Sequence, residues 1–550
     1  MKYLNINHTA WRFSIITLFL MIISGSCQKF LEEVPTANLT DKTEYRTQND
    51  VDALTIGPYR ALANWTSSAE DWGNYLPNVR EFLTGFAWTG EPHAMFWRFE
   101  TNQISGDLLG DFNNDWTYWF RGVRDANFSI ATLEKITTIS SDNISKALGE
   151  VHTLRAWYYF CLVRYYGDVP MVTVPLESIA DAETPRTSLK KIYDEIIIPD
   201  LEFAIASKLE DKQSSNGCIT KYSARAILAD VYLTCAGYPY QEVATNPDKN
   251  WCVDGSWTMN QYPVNTPGAK EFLQKAKEQL DVLYGKFTLG TYANLRDPAM
   301  DNKGERIFEA QYAAAYTTNP MPECSFPLSS HISMFGDERG TFIPSMGYYN
   351  SYNNADLRKQ ERQFFFTSDR ISKKYDPTEP PATPFDRPYL FKLYDEVAVK
   401  STGYSGLNWW FYRYADVLLL HTEVCWALRQ LGVSVPDADL IKGINAVRAR
   451  AQLPAYLPAE IDLFTIMSER AYELIFENDM IFDQRRTRHC LKPGSGSFAG
   501  IVSFFSHRPE SFSFDFSAMN LLSPVSGAEI RRNAKLTQNY GYLPKGATQQ

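Results

Sequence analysis

The sequence has few of the residue patterns that support metal or covalent chemistry. Its 550 residues include only seven histidines, and no two of them have the spacing of metal ligands on one helix. A GxSxG nucleophile motif, a P-loop and a dinucleotide-binding glycine motif are also missing. The eight cysteines form no CxxC pair, which leaves a zinc knuckle or a redox pair without support. These absences argue against serine hydrolases, nucleotide-dependent enzymes and zinc proteins.

Positive charge and long apolar runs are scarce as well. The chain has 54 Lys and Arg against 64 Asp and Glu, a formal net charge of −10, and no long basic run. A nucleic-acid-binding protein needs a basic footprint, so these values argue against this class of partner. Crossing a bilayer takes about 20 apolar residues in a helix, and no segment after the N terminus meets that requirement.

The N terminus has the pattern of a signal peptide. A positively charged start precedes the uncharged stretch Phe13–Ile23, which is too short to span a bilayer. Small residues follow, and then Cys27. This arrangement resembles a bacterial lipobox, with Ser24 at the position where Leu is usual. We predict that residues 1–26 are removed and that Cys27 is lipidated; an ordinary signal peptide with an incidental cysteine is the alternative.

Most of the remaining chain has the periodicity of amphipathic helices. In residues 145–166, apolar side chains recur at i, i+3, i+4 and i+7, which is typical of a helix facing a core. We expect Gly167 to end this helix, Asp115 to cap the preceding one and Pro199 to kink or divide a later one. Helices of similar length suggest tetratricopeptide-like hairpins stacked as a solenoid. The candidate pairs are 116–136 with 145–166, 188–209 with 221–236, and 271–284 with 412–431.

The predicted fold is therefore mainly α, with few short strands. A helical scaffold covers about residues 40–285 and 411–491. It is interrupted at about 287–410 by a loop-rich insertion with many Pro, Gly, Asn and Tyr residues. An irregular segment, 492–550, follows the scaffold. One helical hairpin must then carry the whole insertion between its two helices.

The helix expected at 459–486 carries a dense cluster of charges. Glu473 and Glu477 are four residues apart and share a helix face. Two such carboxylates suggest the acid/base pair of a glycoside hydrolase. Interleaved arginines would instead keep both carboxylates ionised, which opposes the raised pKa that a general acid needs. We therefore predict a structural charge network of Glu469, Arg470, Glu473, Glu477 and Arg485.

Four segments, in order along the chain, resemble one known family. They are FLEEVPT shortly after Cys27, LRAWYYFCLVRYYGDVPMVT at 154–173, RYADVLLLHTEV with INAVRARA within 413–451, and SERAYELIFENDMIFDQRR at 468–486. After a lipobox, this set is similar to the SusD/RagB family of nutrient-binding outer-membrane lipoproteins. The last segment departs from the family pattern, with Asn478 and Asp479 after the glutamate.

The resemblance implies a tetratricopeptide-rich helical domain with a loop-rich insertion, without enzymatic activity or a cofactor. It implies a SusC-like TonB-dependent β-barrel transporter as the partner, on which the lipoprotein sits as a lid. The ligand of the family is usually a glycan and sometimes a peptide. The expected location is the outer membrane, where the lipid anchor holds the protein on the extracellular side.

The resemblance further implies that ligand contacts lie in loops of the first region and of the insertion. A sugar ring packs its C–H face on an aromatic ring, while its hydroxyls need polar partners. Aromatic residues are abundant, with 13 Trp, 32 Tyr and 33 Phe. The ligand-binding candidates are Trp72, Trp88, Trp97, Asn102, Tyr316, Tyr348 and Tyr349. Trp88 and Trp97 have the alternative role of packing a loop against the solenoid, and Trp116 and Trp119 are assigned to the core.

Several alternatives stay open from the sequence. Export permits a disulfide, and Cys218 with Cys252 is one pair to consider. The DNKGE sequence at 301–305 offers oxygen ligands but lacks the spacing of a calcium loop, so a turn is favoured over a calcium site. A secreted glycan-active hydrolase would need an unpaired acid in a cleft. A protein-binding tetratricopeptide scaffold would leave the aromatic loops without a role.

Overall fold

A computed structural model describes most of the chain after the N terminus. The described residues are 45–64, 76–89, 110–176, 178, 181, 183–212, 217–237, 262–263, 268–316, 318–319, 321–325, 340, 343–369, 383–395, 398, 404–477, 480–505, 507–539 and 541–542. The predicted signal peptide, Cys27, Trp72, Trp97, Asn102 and Cys252 lie outside them. Within the described residues helices dominate and the strands are short, which confirms the predicted fold class.

Helices form the scaffold. In chain order they are α1 (Gln48–Ile56), α2 (Arg60–Asn64), α3 (Leu76–Thr84), α4 (Gly110–Leu133), α5 (Ser141–Tyr166), α6 (Leu189–Ile192), α7 (Ile198–Ala206), α8 (Lys221–Cys235), α9 (Ala269–Leu283), α10 (Met321–Cys324), α11 (Met346–Asn350), α12 (Tyr414–Gln430), α13 (Asp437–Arg450), α14 (Leu463–Leu474), α15 (Met480–Thr487) and α16 (Gly527–Arg532). Helix α4 packs on α5, α5 on α7, α7 on α8, α8 on α9, α9 on α12 and α12 on α13. All three predicted helix pairs are in contact, as expected for stacked hairpins.

The strands form short antiparallel pairs. They are β1 (Ala87–Trp88) with β5 (Ile343–Pro344), β2 (Val169–Pro170) with β3 (Arg186–Thr187), β4 (Arg306–Ala310) with β8 (Trp409–Arg413), β6 (Phe365–Asp369) with β7 (Thr383–Leu390), and β9 (His489–Lys492) with β10 (Gly500–Ser503). Of these, β1–β5 and β4–β8 join parts of the chain that are distant in sequence. The β4–β8 pair joins the start and the end of the insertion. Since β8 runs directly into α12, this pair fixes where the insertion returns to the scaffold.

Helix α5 lies at the centre of the scaffold. The Ser140 hydroxyl caps it by accepting a hydrogen bond from the Asn143 amide at 3.3 Å. It ends at Gly167, whose φ of 73° is a left-handed conformation that favours glycine. The predicted apolar stripe is buried, and so is most of the rest of the helix. The C-terminal segment covers its last turn, where the Ser523 amide donates to the Tyr165 carbonyl at 2.8 Å.

The predicted cap at Asp115 is wrong. Helix α4 begins at Gly110, so Asp115 lies inside the helix, where its carboxylate is fully buried. An Arg80 nitrogen lies 3.7 Å from that carboxylate. Asp115 is therefore a buried carboxylate that faces Arg80 inside the protein, and it does not cap a helix end.

The helical unit around Pro199 changes its hydrogen-bonding pattern just before the proline, while the helix itself is continuous. Tyr193–Ile197 forms a π-helical turn, and the Ile198 amide bonds to the Tyr193 carbonyl. The wider turn directly precedes α7, and Pro199, which has no N–H to donate, lies in the first turn of that helix. The chain therefore continues as helix on both sides of the turn.

The helix expected at 459–486 is split into α14 and α15. Helix α14 starts at Leu463 after the Asp462 cap and stops at Leu474. The Lys392 ammonium group donates hydrogen bonds to the Glu473 and Ile475 carbonyl oxygens, at 2.9 Å each. Helix-end carbonyls need such partners, so a buried lysine from the insertion ends the helix there.

Gly443 in α13 tests how closely α12 and α13 pack. A Cβ atom at this position would lie 2.1 Å from the Leu418 carbonyl oxygen. Gly443→Ala should therefore lower the free energy of unfolding by about 1–3 kcal/mol, although alanine is intrinsically the better helix former. Chemical denaturation followed by circular dichroism measures this.

Ala438→Gly, at an exposed site of the same helix, is the control for backbone propensity. It should cost about 0.5–1 kcal/mol. A stabilising effect of Gly443→Ala would contradict the close packing.

Candidate functional site

Glu473 lies at the centre of a buried cluster of opposite charges at the end of α14. Its carboxylate is 2.8 Å from Arg413, 2.5 Å from Arg450 and 3.2 Å from Arg358. All four side chains are nearly or completely buried. The arginines come from β8, from α13 and from the insertion. The cluster therefore fastens the insertion to the scaffold.

Two further glutamates extend this cluster. Glu477 receives hydrogen bonds from Arg413 at 2.7 and 2.8 Å and is also paired with Lys392. Glu469 lies 2.7 Å from Arg358. Each of the two carboxylates is thus held by cations that belong to other elements.

The pKa values of these glutamates oppose acid catalysis. Burial alone would raise the pKa of Glu473, but Arg450, Arg413 and Arg358 lower it to about 2. Burial is likewise outweighed at Glu477, where Arg413 lowers the pKa of the carboxyl. A general acid must hold its proton near neutral pH, and these groups release theirs far below it. Glu473 and Glu477 thus lack the raised pKa that the general acid of a hydrolase needs.

Arg470 and Arg485 lie apart from this cluster. Arg470 pairs with Asp483 at 2.6 Å and with Asp416 at 2.8 Å. Arg485 turns instead towards the C-terminal segment, where its Nε donates to the Asn520 carbonyl at 3.1 Å. Its burial lowers the pKa of the guanidinium. Arg485 is thus removed from the predicted network, because the carbonyl of another segment and not a carboxylate is its hydrogen-bond partner.

The depressed pKa of Glu473 predicts a pH dependence of stability. Because the folded-state value of about 2 is below the ordinary 4.5, the ion pairs stabilise the fold above about pH 4.5. This stabilisation is lost as the pH falls from 4.5 towards 2. Glu473→Gln should lower the free energy of unfolding by about 3–5 kcal/mol at pH 7 and flatten its decline in that window. Denaturant titrations at several pH values measure both effects.

The control for this prediction is a surface ion pair. Glu195 is half exposed and lies 3.7 Å from Lys191, so Glu195→Gln should change stability by less than about 0.5 kcal/mol. Equal effects of the two substitutions would contradict a special role for Glu473.

Trp88 is the predicted ligand-binding tryptophan that the described residues include. It lies on β1 opposite Ile343 of β5 and is partly buried. The guanidinium carbon of Arg387, on β7, is 3.9 Å from the centre of its ring. A guanidinium at this distance is held by a cation–π interaction. The two strands thus bring together residues that are almost 300 positions apart.

A carboxylate completes this surface, and the buried Tyr389 supports it from below. Arg387 Nε donates to Asp386 at 3.1 Å, and the Tyr389 hydroxyl donates to the same carboxylate at 3.3 Å. Asp386 is 67% exposed and Arg387 26% exposed, so both can reach a ligand. We call Trp88, Asp386, Arg387 and Tyr389 the Trp88 patch. It combines an aromatic ring, hydrogen-bond donors and an acceptor, which is the set of groups that a sugar requires.

The three predicted tyrosines of the insertion have different positions. Tyr348 is completely buried, and its hydroxyl bonds to Tyr352 at 2.5 Å and to the Ala471 carbonyl at 2.8 Å. The prediction that Tyr348 contacts a ligand is therefore wrong, because its ring belongs to the core. Tyr349 is partly buried and packs edge-on against Phe365. Tyr316 is 92% exposed.

Asp386 and Arg387 were not among the ligand-binding residues predicted from the sequence. Their signal was present in the segment FDRPY at 385–389, where two charged residues stand between aromatic ones inside the loop-rich insertion. The pattern alone does not reveal which tryptophan they approach, because that contact depends on the packing of β1 and β7.

The DNKGE segment at 301–305 forms turns, as favoured from the sequence. The Asp301 carboxylate is paired with Arg306. Burial raises the pKa of Asp301 to about 7 in spite of that partner. Among the described residues no group of three or more His, Cys, Asp or Glu side chains is arranged to hold a metal ion. No helix in that part of the chain has the length and apolarity for a membrane crossing.

Comparison with known proteins gives matches along the whole chain. Two family models match, one described as "SusD family" at residues 336–542 and one as "Starch-binding associating with outer membrane" at 29–233. SusD-like protein P2 of Formosa agariphila is 24% identical over 552 residues, covering 96% of this chain and 99% of that one. The protein belongs to the SusD-like family.

Solved structures show the same fold. A SusD superfamily protein from Parabacteroides distasonis is 28% identical, with a TM-score of 0.77 over 91% of this chain and all of the other. A laminarin-binding SusD-like protein has a TM-score of 0.65 at 20% identity, with 90% and 100% coverage. Surface glycan-binding protein A from Bacteroides thetaiotaomicron, in complex with laminarihexaose, has a TM-score of 0.66 at 17% identity, with 89% and 99% coverage.

Proposed function

We propose that this protein is a surface lipoprotein that binds oligosaccharides and passes them to a TonB-dependent transporter of the outer membrane. The observation that carries the proposal is the Trp88 patch on a SusD-like scaffold: an aromatic ring of β1 lies together with a guanidinium and a carboxylate of the insertion. Relatives with the same fold are named for glycan or laminarin binding, which supports a glycan as the ligand.

In this proposal the Trp88 patch holds one sugar ring. The exposed part of the indole takes the C–H face of the sugar, an interaction that contributes about 0.5–1.5 kcal/mol beyond area burial. The free N–H groups of Arg387 donate to sugar hydroxyls, while Asp386 accepts from them. The guanidinium stacked on the ring fixes the orientation of both groups before the ligand arrives, which limits the entropy lost on binding.

The proposed role requires binding and release but no bond cleavage. The glutamate pair that suggested a hydrolase is held ionised by arginines, so a binding protein is favoured over an enzyme. Delivery to the transporter requires that the ligand has different affinities for the open and closed states of the complex. A lipid on Cys27 would keep the module beside the transporter. A tetratricopeptide scaffold that binds only proteins is the competing proposal, and it gives the Trp88 patch no ligand.

Arg387→Gln should weaken glycan binding about tenfold, because it removes both the stacked cation and the charged donors from the patch. Trp88→Ala should weaken it at least as much. Isothermal titration calorimetry with a panel of starch, β-glucan and laminarin oligosaccharides, including laminarihexaose, identifies the ligand and measures the loss.

Tyr404→Ala is the matched control, since Tyr404 is a 62% exposed aromatic residue outside the patch. It should leave the affinity unchanged. Wild-type affinity in both patch variants, with their folding verified by circular dichroism, would contradict a ligand site at Trp88.

Lipidation and partnership are tested in membranes of a native host. The mature protein should have the intact mass of a chain that begins at a lipidated Cys27, and a β-barrel transporter should co-purify with it after detergent extraction. Cys27→Ser should remove the lipid mass and shift the protein out of the membrane fraction. An unmodified Cys27 in the wild type would refute the anchor.

A further inference from the structure

A groove runs along α4 and shares no lining residue with the Trp88 patch. It consists of two adjoining hollows of about 350 and 560 Å³ that share Arg124 and Leu176 in their walls. Phe120 and Phe128 of α4 line one side, and the segment 172–176 lines the other. We call the two hollows together the α4 groove.

The walls of the α4 groove expose apolar groups to solvent. Val174 is 63% exposed and Leu176 is 39% exposed. Both residues belong to the segment after β2, and Phe120 and Phe128 face the same hollows with part of their rings accessible. Apolar side chains that meet in one concave surface indicate an occupant rather than chance exposure.

The rim of the α4 groove is positively charged. Its charged residues are Arg60, Arg121, Arg124, Arg532, Asp125 and Glu529. Asp125 pairs with Arg124 at 2.7 Å, and Glu529 pairs with Arg532. Arg60 and Arg121 have no ion-pair partner among the described residues. An occupant of this groove should therefore combine apolar side chains with negative charge.

The segment 28–44, which precedes the first described residue, has this composition. It carries four carboxylates against two lysines, and its motif FLEEVP at 30–35 places Glu32 and Glu33 between apolar residues. Phe30, Leu31 and Val34 would supply the apolar contacts. The segment is thus complementary to the α4 groove in both charge and apolar character.

The segment also starts close enough to reach the groove. The described chain begins beside the end of α4, where the Thr138 hydroxyl donates to the Arg46 carbonyl at 2.8 Å. From Leu133 back to Phe120, α4 rises about 20 Å at 1.5 Å per residue. The ten residues that separate Glu44 from Val34 span up to about 33 Å when extended, so the FLEEVP motif can reach both hollows.

We propose that residues 30–35 dock into the α4 groove of their own chain. Phe30, Leu31 and Val34 contact the apolar walls, and Glu32 and Glu33 pair with Arg121 and Arg124. Docking would leave only residues 28 and 29 free between Cys27 and the docked motif. The helical scaffold would then be held close to Cys27. Release would free 17 residues between that cysteine and the first described residue. The inference does not depend on glycan binding.

The test uses photo-crosslinking in the full-length chain. A benzoyl-phenylalanine introduced at Val174 should crosslink to the peptide that contains residues 30–35, as identified by mass spectrometry of the monomer band. The same group at Tyr404, another exposed position, is the control and should not capture this peptide. Glu32→Lys with Glu33→Lys should reduce the crosslink at least fivefold, and so should Arg121→Glu with Arg124→Glu.

The combined charge swap provides the decisive result. All four substitutions together should restore the crosslink, whereas a general loss of structure would not be reversed in this way. A crosslink that is absent, insensitive to charge or confined to dimers overturns the proposal. So does a groove variant that loses the binding of an acidic oligosaccharide while the Val174 probe captures no N-terminal peptide. Since the crosslink is read without glycan, failure of the Trp88 patch as a ligand site would not affect this outcome.

Discussion

The buried charge cluster around Glu473 is the interaction on which the rest of the structure depends. Charges in a protein interior must be paired, and removal of one partner leaves the others without compensation. Arg413 reaches the cluster from β8, Arg450 from α13, and Arg358 and Lys392 from the insertion. These elements are therefore forced to assemble together. Lys392 lies two residues after the end of β7, so the cluster also positions the strand that carries Arg387.

Most of the helical scaffold could be predicted from the sequence, because amphipathic periodicity and glycine at helix ends are local signals. Gly167 ends α5 as expected, and the helix pairs are those that the periodicity indicated. The errors have non-local causes. The end of α14 depends on Lys392, which lies more than 80 residues earlier in the chain. The burial of Asp115 depends on how α3 and α4 pack, and periodicity carries no information about that.

The types of side chain in the candidate site could be predicted from the sequence, but not all of the residues that contribute them. The sequence indicated an aromatic surface that includes Trp88, while Asp386 and Arg387 join it through strand packing. Tyr348 and Tyr349 show the limit of reading adjacent residues as a pair. Consecutive residues on a helix point about 100° apart, so α11 directs Tyr348 into the core and leaves Tyr349 partly exposed. Only the packing of that short helix decides between the two directions.

The pairing of β4 with β8 has a consequence for how this protein diversifies. Because the ladder closes the insertion at its base, loops between the two strands can change in length without separating the strand ends, provided that Arg358 and Lys392 are kept in the buried charge cluster. The entropy of closing a flexible loop rises slowly with length, by about 0.6 kcal/mol for each doubling. Residues can thus be gained, lost or exchanged in the loops that do not contribute to this cluster while the solenoid stays intact. Mutations confined to these loops can change the groups that face a ligand while the helical scaffold is preserved.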